Sequence, residues 1–62
     1  MDLSNYRRMD PNLLYGIVNM KLRNDYRDLE DLTLGLNLDK AVLEQRLAEG
    51  GFAYDANLRQ FR

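Results

Sequence analysis

Residues 29–47 read LEDLTLGLNLDKAVLEQRL, and this stretch decides the fold. Leu29, Leu32 and Leu36 recur at the spacing that lines one face of a helix, and Val42, Leu43 and Leu47 do so again. Asn37, Leu38 and Asp39 separate the two stripes. Asn37 stands where a tight turn usually has glycine, and asparagine is the best substitute because it tolerates positive φ. Asp39 is a good N-cap for the second helix, and Leu38 before it reaches Leu43 as a hydrophobic staple. Asp28 caps the first helix, with Asp31 three residues later as a weaker form of the capping box. Gly50 and Gly51 end the second helix, since glycine accepts the left-handed conformation a C-cap wants. The first helix is only about nine residues long and needs tertiary support. The whole reads helix, tight turn, helix, the outline of a helix-turn-helix.

Working outward, Asp10 followed by Pro11 starts an earlier helix, because proline needs no N–H at the first helical position. Met9 before that cap reaches Leu14 as a second staple. Leu14, Ile17, Val18 and Leu22 form the buried stripe, Leu13 and Met20 widen it, and the helix ends between Asn24 and Tyr26. On the C-terminal side, Phe52 to Arg62 reads as a short hairpin. A four-residue loop at Asp55–Leu58 sets Phe52 opposite Phe61 and puts Phe52, Tyr54 and Phe61 on one face. A three-residue loop with Asn57 left-handed would instead pair Tyr54 with Leu58. The first is favoured, because a lone two-stranded ribbon is barely stable and its aromatics must dock. The expected fold is mainly α: a three-helix, helix-turn-helix-like bundle with a short C-terminal β-hairpin, a miniature winged-helix outline. Residues 1–9 are expected as an N-terminal arm and 10–62 as the single domain. The expected core is Leu14, Ile17, Val18, Leu22, Leu29, Leu32, Leu36, Leu38, Leu43, Leu47, Phe52 and Phe61.

Composition narrows the chemistry. At 62 residues, the chain holds one domain of marginal stability. It has no Cys and no His, which removes disulfides, thiolate metal sites, the commonest metal ligand and the commonest general base. Its one Ser, Ser4, falls in the expected arm without a base nearby in sequence. Asp25, Asp28, Glu30 and Asp31 cluster, but without the alternate spacing, glycine and distal Glu of a calcium loop; capping and helix-dipole placement account for them. No catalytic residue, metal or cofactor is expected. No apolar run approaches a membrane span, and Met1–Met9 lacks the apolar core of a signal peptide, so a cytoplasmic location is the default expectation.

The stretches Asp10–Leu14 (DPNLL), Ile17–Tyr26 (IVNMKLRNDY), Leu29–Leu32 (LEDL), Leu36–Lys40 (LNLDK) and Tyr54–Arg62 (YDANLRQFR) resemble a family of very small bacterial proteins, the domain of unknown function 4250 family. The segment Val18–Arg23 and the terminus Gln60–Arg62 are its most particular parts. The resemblance implies a stand-alone cytoplasmic protein, mainly from anaerobic gut bacteria, and implies no activity and no functional residues.

The remaining function classes are binding classes. Residues 1–27 carry five basic and three acidic side chains, residues 28–57 carry two basic and seven acidic, and Arg59 and Arg62 follow. The ends are basic and the middle is acidic. The first expectation is a protein-interaction or adaptor module, including self-association as a homodimer, with an exposed apolar patch from residues such as Leu13, Tyr15, Met20 or Leu34. The second is a weak DNA-binding helix-turn-helix regulator. The helix after the turn disfavours it: its outward face offers Lys40, Ala41, Glu44, Gln45, Ala48 and Glu49, where a reading helix carries excess Lys or Arg. Thr33 also stands where the usual small residue falls. Candidate contacts to a partner or nucleic acid are Arg7 and Arg8 in the arm, Asn19, Lys21 and Arg23 on the first helix, Lys40 and Gln45 after the turn, and Arg59 and Arg62 in the hairpin. Asn19 and Arg23 are four apart and share a helix face, read first as a structural polar bridge or a solvated face and second as a partner contact. No small-molecule site is evident. Gly16 and Gly35 lie inside two helices, each read equally well as a close helix contact or as tolerated destabilisation.

Overall fold

Each of the three helices begins on the aspartate that the sequence marks for it. The computed structural model describes residues 3–62. In it α1 runs Pro11–Asn24, α2 Leu29–Leu36 and α3 Lys40–Ala48. The Asp10 carboxylate accepts from the Asn12 N–H, that of Asp28 from Asp31, and that of Asp39 from Val42. Asp31 in turn accepts from the Arg27 N–H at 3.0 Å, so the box at the start of α2 closes one residue outside its usual place.

The turn between α2 and α3 has the chemistry its sequence specifies. Asn37 is left-handed at φ 57. The Leu38 N–H reaches back to the Thr33 carbonyl at 2.8 Å and that of Asn37 to Leu34 at 3.3 Å, a Schellman ending. The end of α3 repeats it: Gly51 has φ 86, and the Phe52 N–H bonds the Leu47 carbonyl at 3.1 Å. Gly50 has a different task. A Cβ there would fall 2.6 Å from the Pro11 Cβ, so the end of α3 packs closely on the start of α1. Thr33 is buried and spends its hydroxyl on the Leu29 and Glu30 carbonyls.

The core combines Leu14, Ile17, Val18 and Leu22 of α1 with Leu29 and Leu32 of α2, Leu43 and Leu47 of α3, and Phe61. Leu36, Leu38 and Phe52 are only partly buried at its rim. Leu3 and Tyr6 join it, which corrects the expectation that residues 1–9 form an arm. A 3-10 turn at Tyr6–Arg8 folds back onto α3, where the Asp39 N–H donates to the Tyr6 hydroxyl at 3.1 Å. Burying two large apolar side chains outweighs the entropy of a short free end. Met1 and Asp2, the rest of that expected arm, lie outside the described residues.

The hairpin forms with a register different from both expectations. Strands β1 (Tyr54–Asp55) and β2 (Gln60–Phe61) are antiparallel, with Tyr54 opposite Phe61 and Asp55 opposite Gln60. The Asp55 carboxylate accepts from the Asn57 and Leu58 N–H groups, and Arg59, at φ 56, takes the left-handed position that was open to Asn57. A distant residue fixes the register. The Asn19 side chain, buried in α1, donates to the Phe61 carbonyl at 3.0 Å and accepts from the Phe61 N–H at 2.8 Å. The expected three-aromatic face is accordingly split. Tyr54 and Phe61 meet at 5.3 Å between ring centres, while Phe52 stacks on Tyr15 of α1 at 4.1 Å. The Tyr54 hydroxyl accepts from the Leu29 N–H at 3.3 Å, which docks the hairpin on the start of α2.

Candidate interaction surface

The nine candidate contact residues do not form one surface. Asn19 is withdrawn from solvent: both ends of its amide are spent on the Phe61 backbone, so it builds the fold instead of meeting a partner. Arg62 pairs with Asp55 at 3.0 Å. That guanidinium, aided by the Leu58 and Asn57 N–H groups, holds the Asp55 carboxyl below its ordinary value. Lys21 is half-buried and Arg8 is exposed. Arg7 and Gln45 share a shallow depression of about 140 Å³ with Val42, Arg46 and Glu49, between the 3-10 turn and α3. Arg7 also lies against the Tyr6 ring, 5.7 Å from its centre. It lowers the Tyr6 pKa and has its own raised in return.

The outward face of α3 is exposed but not basic. Arg46 gives its Nε–H to the Met9 carbonyl at 2.9 Å and pairs with Glu49. Glu44 and Glu49 are exposed beside Gln45, and Lys40 at the first position has no ion pair among the described residues. A face with that balance gives little of the phosphate neutralisation on which DNA affinity rests.

Arg23 and Arg59 do come together. They line a groove of about 540 Å³ between the C-terminal half of α1 and the hairpin loop, with Leu22, Tyr26, Arg27, Leu58 and Gln60. Among the described residues the ion pairs are Arg46–Glu49 and Arg62–Asp55, so Arg23, Arg27 and Arg59 line the groove without an ion pair. No carboxylate lines it. The sequence reading missed Tyr26, Arg27, Leu58 and Gln60. Arg27 lies beyond the end of α1 at Asn24, so its four-residue separation from Arg23 does not set the two on one helix face. Lys40 sits in an adjoining depression of about 270 Å³ that also holds Asp28, Glu30 and Arg59, so Arg59 borders both.

Exposed apolar side chains supply a second feature. Leu13 is 50% and Met20 42% exposed. Seven residues apart, they lie two turns from each other on one face of α1. Gly16 between them has nothing within 4 Å of where a Cβ would be, so it makes no close contact within the molecule. Gly35 does: its Cβ would fall 2.6 Å from the Tyr26 ring. Of the other expected patch members, Leu34 is 76% exposed on α2 and Tyr15 is covered by Phe52.

Among the described residues no three His, Cys, Asp or Glu side chains come together as a metal-holding group, and no helix is long and apolar enough to cross a membrane. No buried side-chain N or O atom among them lacks a hydrogen-bond partner. A family described as Domain of unknown function (DUF4250) matches residues 8–61. No curated protein and no solved structure matches the chain.

Proposed function

The chain belongs to the DUF4250 family, and from that membership, which brings no activity with it, we propose that the protein is a non-catalytic interaction module whose outer α1 face meets a second copy of itself. The observation that carries this reading is the exposed stripe of Leu13, Gly16 and Met20, two large apolar side chains flanking a position with no side chain. Two copies of α1 packed antiparallel about Gly16 satisfy two-fold symmetry: each Leu13 covers Met20 of the partner subunit, and the glycines let the backbones approach. With 14 residues, α1 is about 21 Å long. A contact of that length falls below the roughly 1,200 Å² of a standard interface, so the association is weak and concentration-dependent.

Sedimentation equilibrium from micromolar to millimolar protein tests it. The weight-average mass rises toward that of a dimer for the natural chain and stays monomeric for Met20→Glu, which sets a charge at the end of the stripe that Leu13 of the partner subunit would cover. A natural chain that remains monomeric at millimolar concentration overturns the self-association.

A further inference from the structure

We propose that the groove between the C-terminal half of α1 and the hairpin loop binds an acidic peptide segment of a partner protein, one carrying an apolar side chain between carboxylates. Three arginines, Arg23 and Arg27 around the end of α1 and Arg59 in the hairpin loop, line this groove; Arg59 also borders the depression with Asp28 and Glu30, yet no carboxylate among the described residues pairs with any of the three. A planar guanidinium matches a carboxylate in a two-pronged bond. Leu58, 58% exposed, and the half-buried Tyr26 ring supply an apolar floor beside the cations. The groove's volume of about 540 Å³ falls in the range of ligand-binding clefts.

Arg59 adds an independent argument. It holds the left-handed conformation at φ 56, where glycine or asparagine would sit without strain and any other side chain costs energy. A guanidinium kept at a strained position beside two others marks the position as one where the side chain itself matters.

The rest of the surface selects a short peptide over a nucleic acid. Residues 28–57 carry seven acidic side chains against two basic ones, and that field repels a long polyanion. Three cations in one groove also fall short of the phosphate contacts that give a nucleic-acid binder its affinity.

This inference rests on reading the chain as an interaction module but not on its self-association, so it is measured with Met20→Glu as well as with the natural chain. The probe is a fluorescent peptide in which one leucine is flanked on each side by two glutamates, followed by anisotropy at low and at physiological salt. Binding to both proteins is expected, weakening with salt. The same peptide with glutamines in place of glutamates loses it. Arg59→Gly weakens binding at least about threefold, the scale of one exposed charge pair, while its melting temperature stays level or rises because the strain is relieved. The proposal is overturned if the glutamate peptide does not bind at low salt, if the glutamine peptide binds equally, or if Arg59→Gly binds unchanged. It is overturned equally if a single-stranded oligonucleotide of similar length binds more tightly than the peptide.

Discussion

Replacing Asn19 is the sharpest perturbation this fold offers. Its amide satisfies both the N–H and the carbonyl of Phe61, a residue 42 positions away that is 2% exposed. Asn19→Ala orphans a donor and an acceptor together. Each orphaned buried group costs about 1–3 kcal/mol, which gives a loss of about 2–6 kcal/mol for the two. A domain of 62 residues has a total stability of about 3–9 kcal/mol, so the change removes a large share of it. At about 4–8 °C per kcal/mol for a domain of this size, the melting temperature falls by about 10 °C or more. Circular dichroism melts at fixed low concentration read it. Asn19→Asp separates the hydrogen bonds from mere volume. Its carboxylate still accepts from the Phe61 N–H, but its other oxygen faces the Phe61 carbonyl, and burial raises its pKa above the usual value of about 3.9. Once protonated, the carboxyl donates as the amide did. A raised folded-state pKa gives stability that is present in full below the unfolded value and is lost as pH rises through the folded one. The deficit of Asn19→Asp against the natural chain is therefore largest at neutral pH and shrinks as pH falls toward 4. A drop of under about 3 °C for Asn19→Ala, or a pH-independent deficit for Asn19→Asp, refutes the reasoning.

The two helix-interior glycines should respond in opposite directions. Gly16→Ala, in open space, gains about 1 kcal/mol of helix propensity, and its melting temperature rises by about 4–8 °C. Gly35→Ala drives a methyl into the Tyr26 ring and lowers the melting temperature; a rise would show that the ring yields freely. Tyr6→Phe, which leaves the Asp39 N–H without its partner, costs about 1 kcal/mol in the same melts, and Tyr6→Ala about 3 kcal/mol or more. No loss in either would mean that the N-terminal segment does not hold α3. The depressed Asp55 pKa means that the loop's bonds contribute fully above the ordinary carboxylate range and are lost as pH falls through the lower folded value. The Asn57 and Leu58 amide resonances, followed by NMR against pH, should inflect below the ordinary Asp pKa, and Arg62→Ala should move that inflection upward.

The legible parts of the fold are local ones. Asp10, Asp28 and Asp39 act on N–H groups two or three residues away, and Asn37 meets a conformational demand at its own position, so a window of a few residues contains the answer. The hairpin register was not local. Phe52 opposite Phe61 satisfied every nearby rule, yet Asn19 settles the pairing from the other end of the chain. Leu3 and Tyr6 were missed because a single short turn shows no periodicity. In the candidate surface, Arg23 and Arg59 could be read as basic, but that they share a groove with Arg27 and Leu58 is a product of the hairpin's docking. Asn19 was legible only in part: its place beside Arg23 along the helix allowed a structural polar bridge, a solvated face or a partner contact, and its bonds to the Phe61 backbone make it an internal bridge.

Two tyrosine hydroxyls, one from each flank of the chain, receive the N–H groups of Asp39 and Leu29 at the starts of α3 and α2. Amides in a helix's opening turn ordinarily trade their hydrogens with solvent fastest, having no carbonyl within the helix to bond. Here both are shielded for as long as Tyr6 and Tyr54 stay seated, so deuterium uptake at Asp39 times the lifting of the N-terminal flank and uptake at Leu29 times that of the hairpin. If the two protons are lost at one common rate, the central pair of helices has no separate existence and the flanks open only when everything does.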